Sequence, residues 1–281
     1  MTNSYTNIIT FILTTVFYYL ALKPNLSYQI LIDPTKYESY IKNNYIYLGI
    51  YLLLVIIIQF IVNSSIISNT CGGNISENMG SAGILTFIPW ILIFGVVIII
   101  LIVFPGFKSA FSDVIGYFYV SSSANKVLTD LLINPELQKT IDNSGSSDTE
   151  KKALQDAADA IVKICGNTSL LINQIVPDNF TKYWNILKPL MKSQYQVDSP
   201  ETIHKKNELF ELVVTRDNVG EAMWYIYTGL LLVSLVQLKI TSQGCKSNPE
   251  TMEKNYQEYL KQQQEIEKTQ KQNNTTYTIS S

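Results

Sequence analysis

Long apolar runs alternate along this chain with stretches of ordinary mixed polarity. Ile84 to Phe104 (ILTFIPWILIFGVVIIILIVF) carries no charge, and Tyr45 to Val62 (YIYLGIYLLLVIIIQFIV) holds Gln59 as its one strongly polar residue. A helix needs roughly 20 apolar residues to cross a ~30 Å hydrocarbon core, so both runs predict transmembrane helices. Ala222 to Leu238 (AMWYIYTGLLLVSLVQL) is shorter, fenced by Glu221 and Lys239, with Trp224, Tyr225 and Tyr227 crowding one end. Aromatics gathered at a span end are the pattern of a lipid interface, and the run predicts a further span. The competing reading is a buried core helix of a soluble domain.

The N-terminal run, Ile8 to Leu22, spans only if the uncharged Thr2 to Asn7 enters the interface. A cleaved signal peptide requires a basic start and small residues at the cleavage site. Here the first lysine is Lys23, and Tyr18 to Leu22 (YYLAL) is bulky. An uncleaved first span is the better reading.

The remainder reads as helical. Asn134-Pro135-Glu136 and Ser199-Pro200-Glu201 each set a capping residue before proline at the first helical position. Ser147-Asp148-Thr149-Glu150 is a capping box, followed by Leu154, Ala157, Ala158, Ile161, Val162 and Cys165 at helical spacing, with Gly166 closing that helix. Asn179 to Ser193 and Thr202 to Val214 complete the set. After Asn248-Pro249-Glu250, the residues Met252, Tyr256, Tyr259, Gln263 and Ile266 recur at alternating spacings of four and three. That seam covers fewer than three heptads, which suits a solvated helix better than a zipper. A homo-oligomer joined through the tail is the alternative, and Asn273 to Ser281 should be disordered.

The predicted fold class is therefore all-α, multi-pass, with an inserted soluble helical domain and a helical C-terminal tail. Residues 1–104 form a membrane region with three spans (8–22, 45–62, 84–104). Residues 105–221 form an interfacial elbow and helical domain, 222–238 a fourth span, and 239–281 a polar tail.

The elbow is the least ordinary stretch. Pro105 cannot continue the third span, since it lacks an N–H and clashes with the preceding turn, and Gly106 permits a change of direction. Phe107, Ala110, Phe111, Val114 and Phe118 then repeat at helical spacing, with Lys108, Ser112, Asp113 and Tyr119 on the other side. Such a helix lies at the headgroup boundary or roofs its own domain. The alternative is the second arm of a broken helix lining a pathway, which needs polar partners inside other spans. The candidates are Gln59, Thr86, Ser234 and Gln237.

Composition narrows the function classes. Charged residues make up 16% of the chain and hydrophobic ones 47%, against about 25% charged in soluble domains. Net charge is −2, and in 105–221 fifteen acidic residues face twelve basic ones, so no electrostatic footprint for nucleic acid exists. With three cysteines and one histidine, a four-ligand zinc site lacks its ligands. No phosphate loop, nucleophile elbow or metalloprotease motif occurs, so neither an enzyme nor a cofactor is expected.

Lysine placement orients the chain. Loop 23–44 carries Lys23, Lys36 and Lys42, whereas loop 63–83 has neither lysine nor arginine. Loop 23–44 and segment 105–221 then share one face, and the N-terminus, loop 63–83 and the tail share the other. On that face Cys71 and Cys245 each lie within about ten residues of a span end, which makes a disulfide between them a hypothesis, with two free thiols as the alternative.

Four stretches resemble an uncharacterised membrane-protein family of giant viruses, the mimivirus-like and algal-virus groups of nucleocytoplasmic large DNA viruses. They are Tyr18 to Pro24 (YYLALKP), Gln59 to Asn63 (QFIVN) with Cys71-Gly72-Gly73, Phe87 to Trp90 (FIPW), and Phe104 to Tyr117 (FPGFKSAFSDVIGY). The resemblance covers roughly the first 130 residues. It implies a multi-pass protein of a viral or virus-modified host membrane, including the virion's internal membrane, and brings no activity or catalytic residue with it. The leading functional expectation is a structural or assembly protein whose partners are the bilayer and capsid or core proteins. A channel or transporter using the Pro105-Gly106 break is the runner-up, and a membrane enzyme with unrecognised groups the third.

Peptide mapping without reduction should recover Cys71 linked to Cys245. Recovery of both as alkylated free thiols would remove the hypothesis.

Overall fold

A computed structural model describes residues 5–71, 75–132, 168–242 and 249–273 of the chain. The predicted helix starts at Asn134 and Ser147, the helix ending at Gly166, and both Cys165 and Cys245 lie outside these residues. Among the described residues the structure is helical, and its lone β-feature is a single bridge between Leu132 and Met191.

The chain opens with α1 (Thr6–Leu22), whose last turn, Tyr18–Leu22, is π-helical. A short α2 (Tyr28–Ile32) follows, capped by the Ser27 side chain accepting from the Ile30 N–H, and then α3 (Pro34–Cys71). The next span is α4 (Ile75–Pro89), a π turn at Trp90–Phe94, and α5 (Gly95–Val103). Pro89 removes one helical N–H, and the wider π turn directly after it absorbs the mismatch without breaking the rod. A 3-10 turn at Pro105–Lys108 leads into α6 (Ser109–Phe111), a π turn at Ser112–Gly116, and α7 (Tyr117–Leu131). Then come α8 (Thr168–Gln174), α9 (Phe180–Leu187), α10 (Pro200–Ser242) and α11 (Pro249–Asn273).

Among the described residues three helices are long and apolar enough to cross a membrane: Pro34–Cys71, Asn78–Val103 and Pro200–Ser242. Thr6–Leu22 is apolar but shorter, and packs beside them.

Two expectations need correction. Loop 63–83 is mostly helix, because α3 continues to Cys71 and α4 starts at Ile75. The predicted helix 202–214 and span 222–238 are one rod, α10, of 43 residues. At 1.5 Å per residue that rod is about 65 Å long, twice what the hydrocarbon needs, so its N-terminal half must stand outside the lipid. The residues between the two predicted segments, Thr215 to Glu221, contain no proline, and the one glycine there is tolerated because a neighbour packs on it. Ser199 caps the start, its Oγ accepting from the Thr202 N–H at 3.2 Å.

Among the described residues three apolar clusters lie along α10, the smallest being Ile66, Ile67, Ala82, Val236 and Ile240 near its C-terminal end. Beside its N-terminal half, α2, α7, α8 and α9 bury Leu128, Leu131, Ile172, Phe180, Trp184 and Phe210. Tyr28 closes this core by packing edge-on against Phe180 and Phe210. Beside its C-terminal half, Phe11, Tyr51, Trp90, Phe94 and Tyr225 form an aromatic cluster between the spans. The outward residues of these spans, such as Leu53, Ile57, Ile61, Ile99 and Leu235, are large and apolar, as a lipid solvent demands.

Glycines allow the closest crossings. A Cβ on Gly116 would sit 2.5 Å from the Arg216 carbonyl oxygen, and one on Gly220 would sit 2.6 Å from the Ser112 Cβ. The elbow and α10 therefore touch backbone to backbone, as small residues permit in membrane helices. Farther along, the Phe11 ring lies directly on Gly229.

The tail helix α11 exposes Tyr256, Tyr259 and Ile266, and its Gln263 amide donates to the Tyr259 hydroxyl at 2.9 Å. Cys71 is disulfide-bonded, while the expected partner, Cys245, lies beyond the described residues.

Gly116→Ala and Gly220→Ala should each destabilise the fold by about 1–3 kcal/mol, since the Arg216 carbonyl and the Ser112 backbone that the new methyl groups would meet cannot be moved aside as a rotamer can. Gly49 has nothing within 4 Å of a new Cβ, so Gly49→Ala should melt at or above the wild-type midpoint. Thermal melts followed by size-exclusion chromatography in detergent compare the three; a Gly116→Ala protein melting with wild type would contradict the close crossing.

Candidate functional site

Charged residues cluster where α1 ends, α5 ends and α10 leaves the lipid. Glu221, on α10, accepts at Oε1 from the Lys23 ammonium and from the Tyr19 hydroxyl (3.0 Å), and its Oε2 meets Lys108 at 2.8 Å. Lys108 also donates to Asp217 Oδ2 at 3.0 Å. Asp217 and Glu221 are four residues apart and so share one face of α10. The side chains are 7% (Lys23), 9% (Glu221) and 17% (Lys108, Asp217) exposed, which places two cations and two carboxylates in a nearly dry, charge-balanced set. Both Glu221 oxygens are engaged.

The two lysines respond differently to this setting. Burial by itself lowers the Lys108 ammonium, but Glu221 and Asp217 together outweigh it and hold the group above its ordinary value. Lys23 has Glu221 alone as a direct partner, so burial dominates and the ammonium is depressed.

The elbow is amphipathic in the inverted sense. Phe107, Val114 and Phe118 are 53%, 67% and 82% exposed, while Ser112 and Gly116 are buried against α10 and Lys108 turns inward. The apolar stripe expected to meet lipid or to roof the domain thus faces away from the domain. Of its members Phe111 is partly covered, lying edge-on to Trp224. The Trp224 indole N–H donates to the Phe107 carbonyl at 2.8 Å, so the chain turns at Pro105 and Gly106 and fastens at once to α10.

Beyond the ion cluster lies a cavity of about 380 Å³. Tyr37, Tyr40, Asn44 and Tyr45 of α3 wall one side, and Lys108, Asp113, Arg216 and Asp217 another. Leu48, Leu101 and Ile102 form its apolar end, and Pro105 and Gly106 also line it. Arg216 is fully buried; its Nη1 donates to the Ile172 carbonyl and to Asn173 Oδ1 (3.3 Å), which closes the C-terminal end of α8 with a cation. Asn173 in turn donates to the Asp113 carbonyl at 3.0 Å. The Arg216 Nε and the Asn44 Oδ1 are buried without a partner.

The opposite end of the bundle uses amides. Asn7 donates to Asn63 Oδ1 (2.9 Å) and to Gln237 Oε1 (3.3 Å), Asn63 donates to the Thr86 hydroxyl (2.9 Å), and Gln59 donates to the Asn7 carbonyl (3.1 Å). Of the four pathway candidates, Gln59, Thr86 and Gln237 are thus consumed in helix-to-helix bonds. Ser234 is exposed and bonds back to the Leu230 carbonyl. No group of His, Cys, Asp and Glu suited to a metal ion occurs among the described residues.

The sequence carried a signal for the ion cluster that went unread. Lys23 and Lys108 each directly follow an apolar run, and Asp217 and Glu221 directly precede one, so opposite charges stand at the same end of three rods. Spacing alone sets Lys108 and Asp113 opposite the apolar stripe of the elbow, and Glu221 as a fence before the fourth span. Comparison with family models, curated proteins and solved structures finds no match.

Glu221→Leu strands Lys23 with no carboxylate and should destabilise the fold by about 3–5 kcal/mol. Lys23→Met combined with Glu221→Leu leaves the Lys108–Asp217 pair whole and should recover most of that loss. A double variant no more stable than Glu221→Leu in the same melt would contradict the pairing.

Proposed function

We propose that this chain is an integral membrane protein with a structural or assembly role in a viral or virus-modified membrane, the virion's internal membrane included. It presents its helical module to capsid or core proteins in the interior. The observation that carries this reading is the way polar groups are used. Amides at one end and ions at the other bind helix to helix, and the module shares the rod α10 with the bundle. A protein built so holds a domain at a fixed height and angle above a bilayer. Its apolar spans suit the multi-pass membrane protein that the resemblance of the first 130 residues implies.

The channel or transporter reading draws on one observation, that Pro105 and Gly106 line the cavity. Against it stands the amide cluster, which fills the other end of the bundle. No catalytic step belongs to this proposal.

Crosslinking mass spectrometry from Lys182 and Lys192 in purified particles tests the reading. Abundant links to a few capsid or core proteins, with the chain at high copy, are expected. Absence from particles contradicts the assembly role, and unitary currents in planar bilayers that a Pro105→Ala variant alters would transfer the case to the channel.

A further inference from the structure

We propose that the outward face of the elbow, Phe107, Val114 and Phe118, is seated in the boundary between acyl chains and headgroups of the leaflet beside the module. The bundle then leans toward this side, and the module is presented at a slant. The proposal rests on the membrane-spanning reading of the long helices and is independent of any capsid or core partner.

The face continues the outer side of the third span. Ile99, Val103 and Phe104 are exposed there, and Phe107, Val114 and Phe118 carry the exposed apolar surface past the turn at Pro105 and Gly106. Beyond Phe118 the outward residues are Ser122 and Lys126, so the stripe ends within about two turns. Tyr119 beside it is exposed as well, and a tyrosine ring suits the headgroup level.

The flank across the cavity is polar. Tyr37, Tyr40 and Asn44 of α3 wall the same cavity as Lys108, Ser109 and Asp113 of the elbow, which sets the two elements at one height. At that height α3 exposes Lys36, Glu38, Ser39, Lys42 and Asn43. In an upright bundle a level lipid boundary could not wet this flank and cover the elbow. A tilt satisfies both, and membrane helices are tilted by about 20° on average.

Lipid suits the face better than a protein does, because the polar groups beside the stripe are already used. Lys108 turns inward to Asp217 and Glu221. The Ser109 hydroxyl donates to the Gly106 carbonyl at 2.7 Å, and the Ser121 hydroxyl to the Phe118 carbonyl at 3.0 Å. Hydroxyls closed onto their own helix lose little on leaving water, whereas a protein interface needs a hydrogen-bonding rim. The seat is also rigid: the Trp224 indole N–H holds the Phe107 carbonyl, and Phe111 lies edge-on to the same indole. A fixed apolar helix face of this kind is what enters a bilayer surface.

Photocrosslinking of the full chain in phosphatidylcholine nanodiscs tests this, with p-benzoylphenylalanine placed at Phe118, at Ser39 or at Leu235. Lipid adducts, read by intact mass, are expected from Phe118 and Leu235 and not from Ser39. Val114→Asp should cut the Phe118 adduct by about tenfold while melting in detergent stays as in wild type, since Val114 is exposed. An unlabelled Leu235 would overturn the membrane reading itself. With Leu235 labelled, an unlabelled Phe118 would overturn the seat, and a link from Phe118 to a second copy would make the face an interface between chains instead. Equal lipid labelling at Ser39 would remove the slant, and a Phe118 adduct undiminished by Val114→Asp would contradict the seating of the stripe.

Discussion

Glu221 imposes the constraint on which the arrangement depends. It lies on α10 immediately before the apolar run 222–238, where an ionised carboxylate away from water needs a cation at contact distance. The chain supplies two, Lys23 from the end of α1 and Lys108 from the elbow, and each brings its own element with it. Asp217, one turn along, takes the remaining attraction of Lys108. Four charges thereby fix three elements at one height. The close backbone crossing of Ser112–Gly116 with Arg216–Gly220 continues this fastening toward the helical module.

The two ends of the bundle employ different chemistry for the same purpose. Amides and hydroxyls join α1, α3, α4 and α10 at one end. Such bonds are neutral, so they lose little by lying among apolar neighbours, provided each amide finds a partner. Ions are used at the other end, beside the module, where tyrosine hydroxyls and a polar cavity moderate their burial. Between the ends the packing is aromatic and apolar, and it fixes shape rather than registry. A rod shared by bundle and module, pinned at both ends, transmits position from bilayer to partner, which is what the proposed assembly role requires.

The spans were legible because lipid demands uninterrupted apolar residues, and a 21-residue run such as Ile84 to Phe104 has no rival reading. The cap at Ser199-Pro200 was equally plain, being a local rule. What escaped was the fusion of 202–214 with 222–238, because charged residues such as Arg216, Asp217 and Glu221 between two apolar runs look like a loop unless their partners are known. Those partners are Ile172, Lys108 and Lys23, separated from them by 44 to 198 positions. The same distance hid the cavity. Helical spacing puts Lys108 and Asp113 opposite the apolar stripe without saying what they face, whereas the folded elbow turns Phe107 and Phe118 outward and Lys108 toward α10. In a membrane protein the amphipathic rule reverses sign at the lipid boundary, and sequence periodicity alone does not carry that sign.

The central claim is that α10 is one unbroken rod through the charged stretch because the ion cluster holds it there. Hydrogen exchange followed by mass spectrometry in lipid nanodiscs measures this directly. Slow exchange should run without interruption from Leu209 to Leu232, and the elbow amides of 112–117 should be protected with it. A fast-exchanging window over 215–222 in the wild-type protein would mean a hinge where the account requires a clamp, and would contradict it.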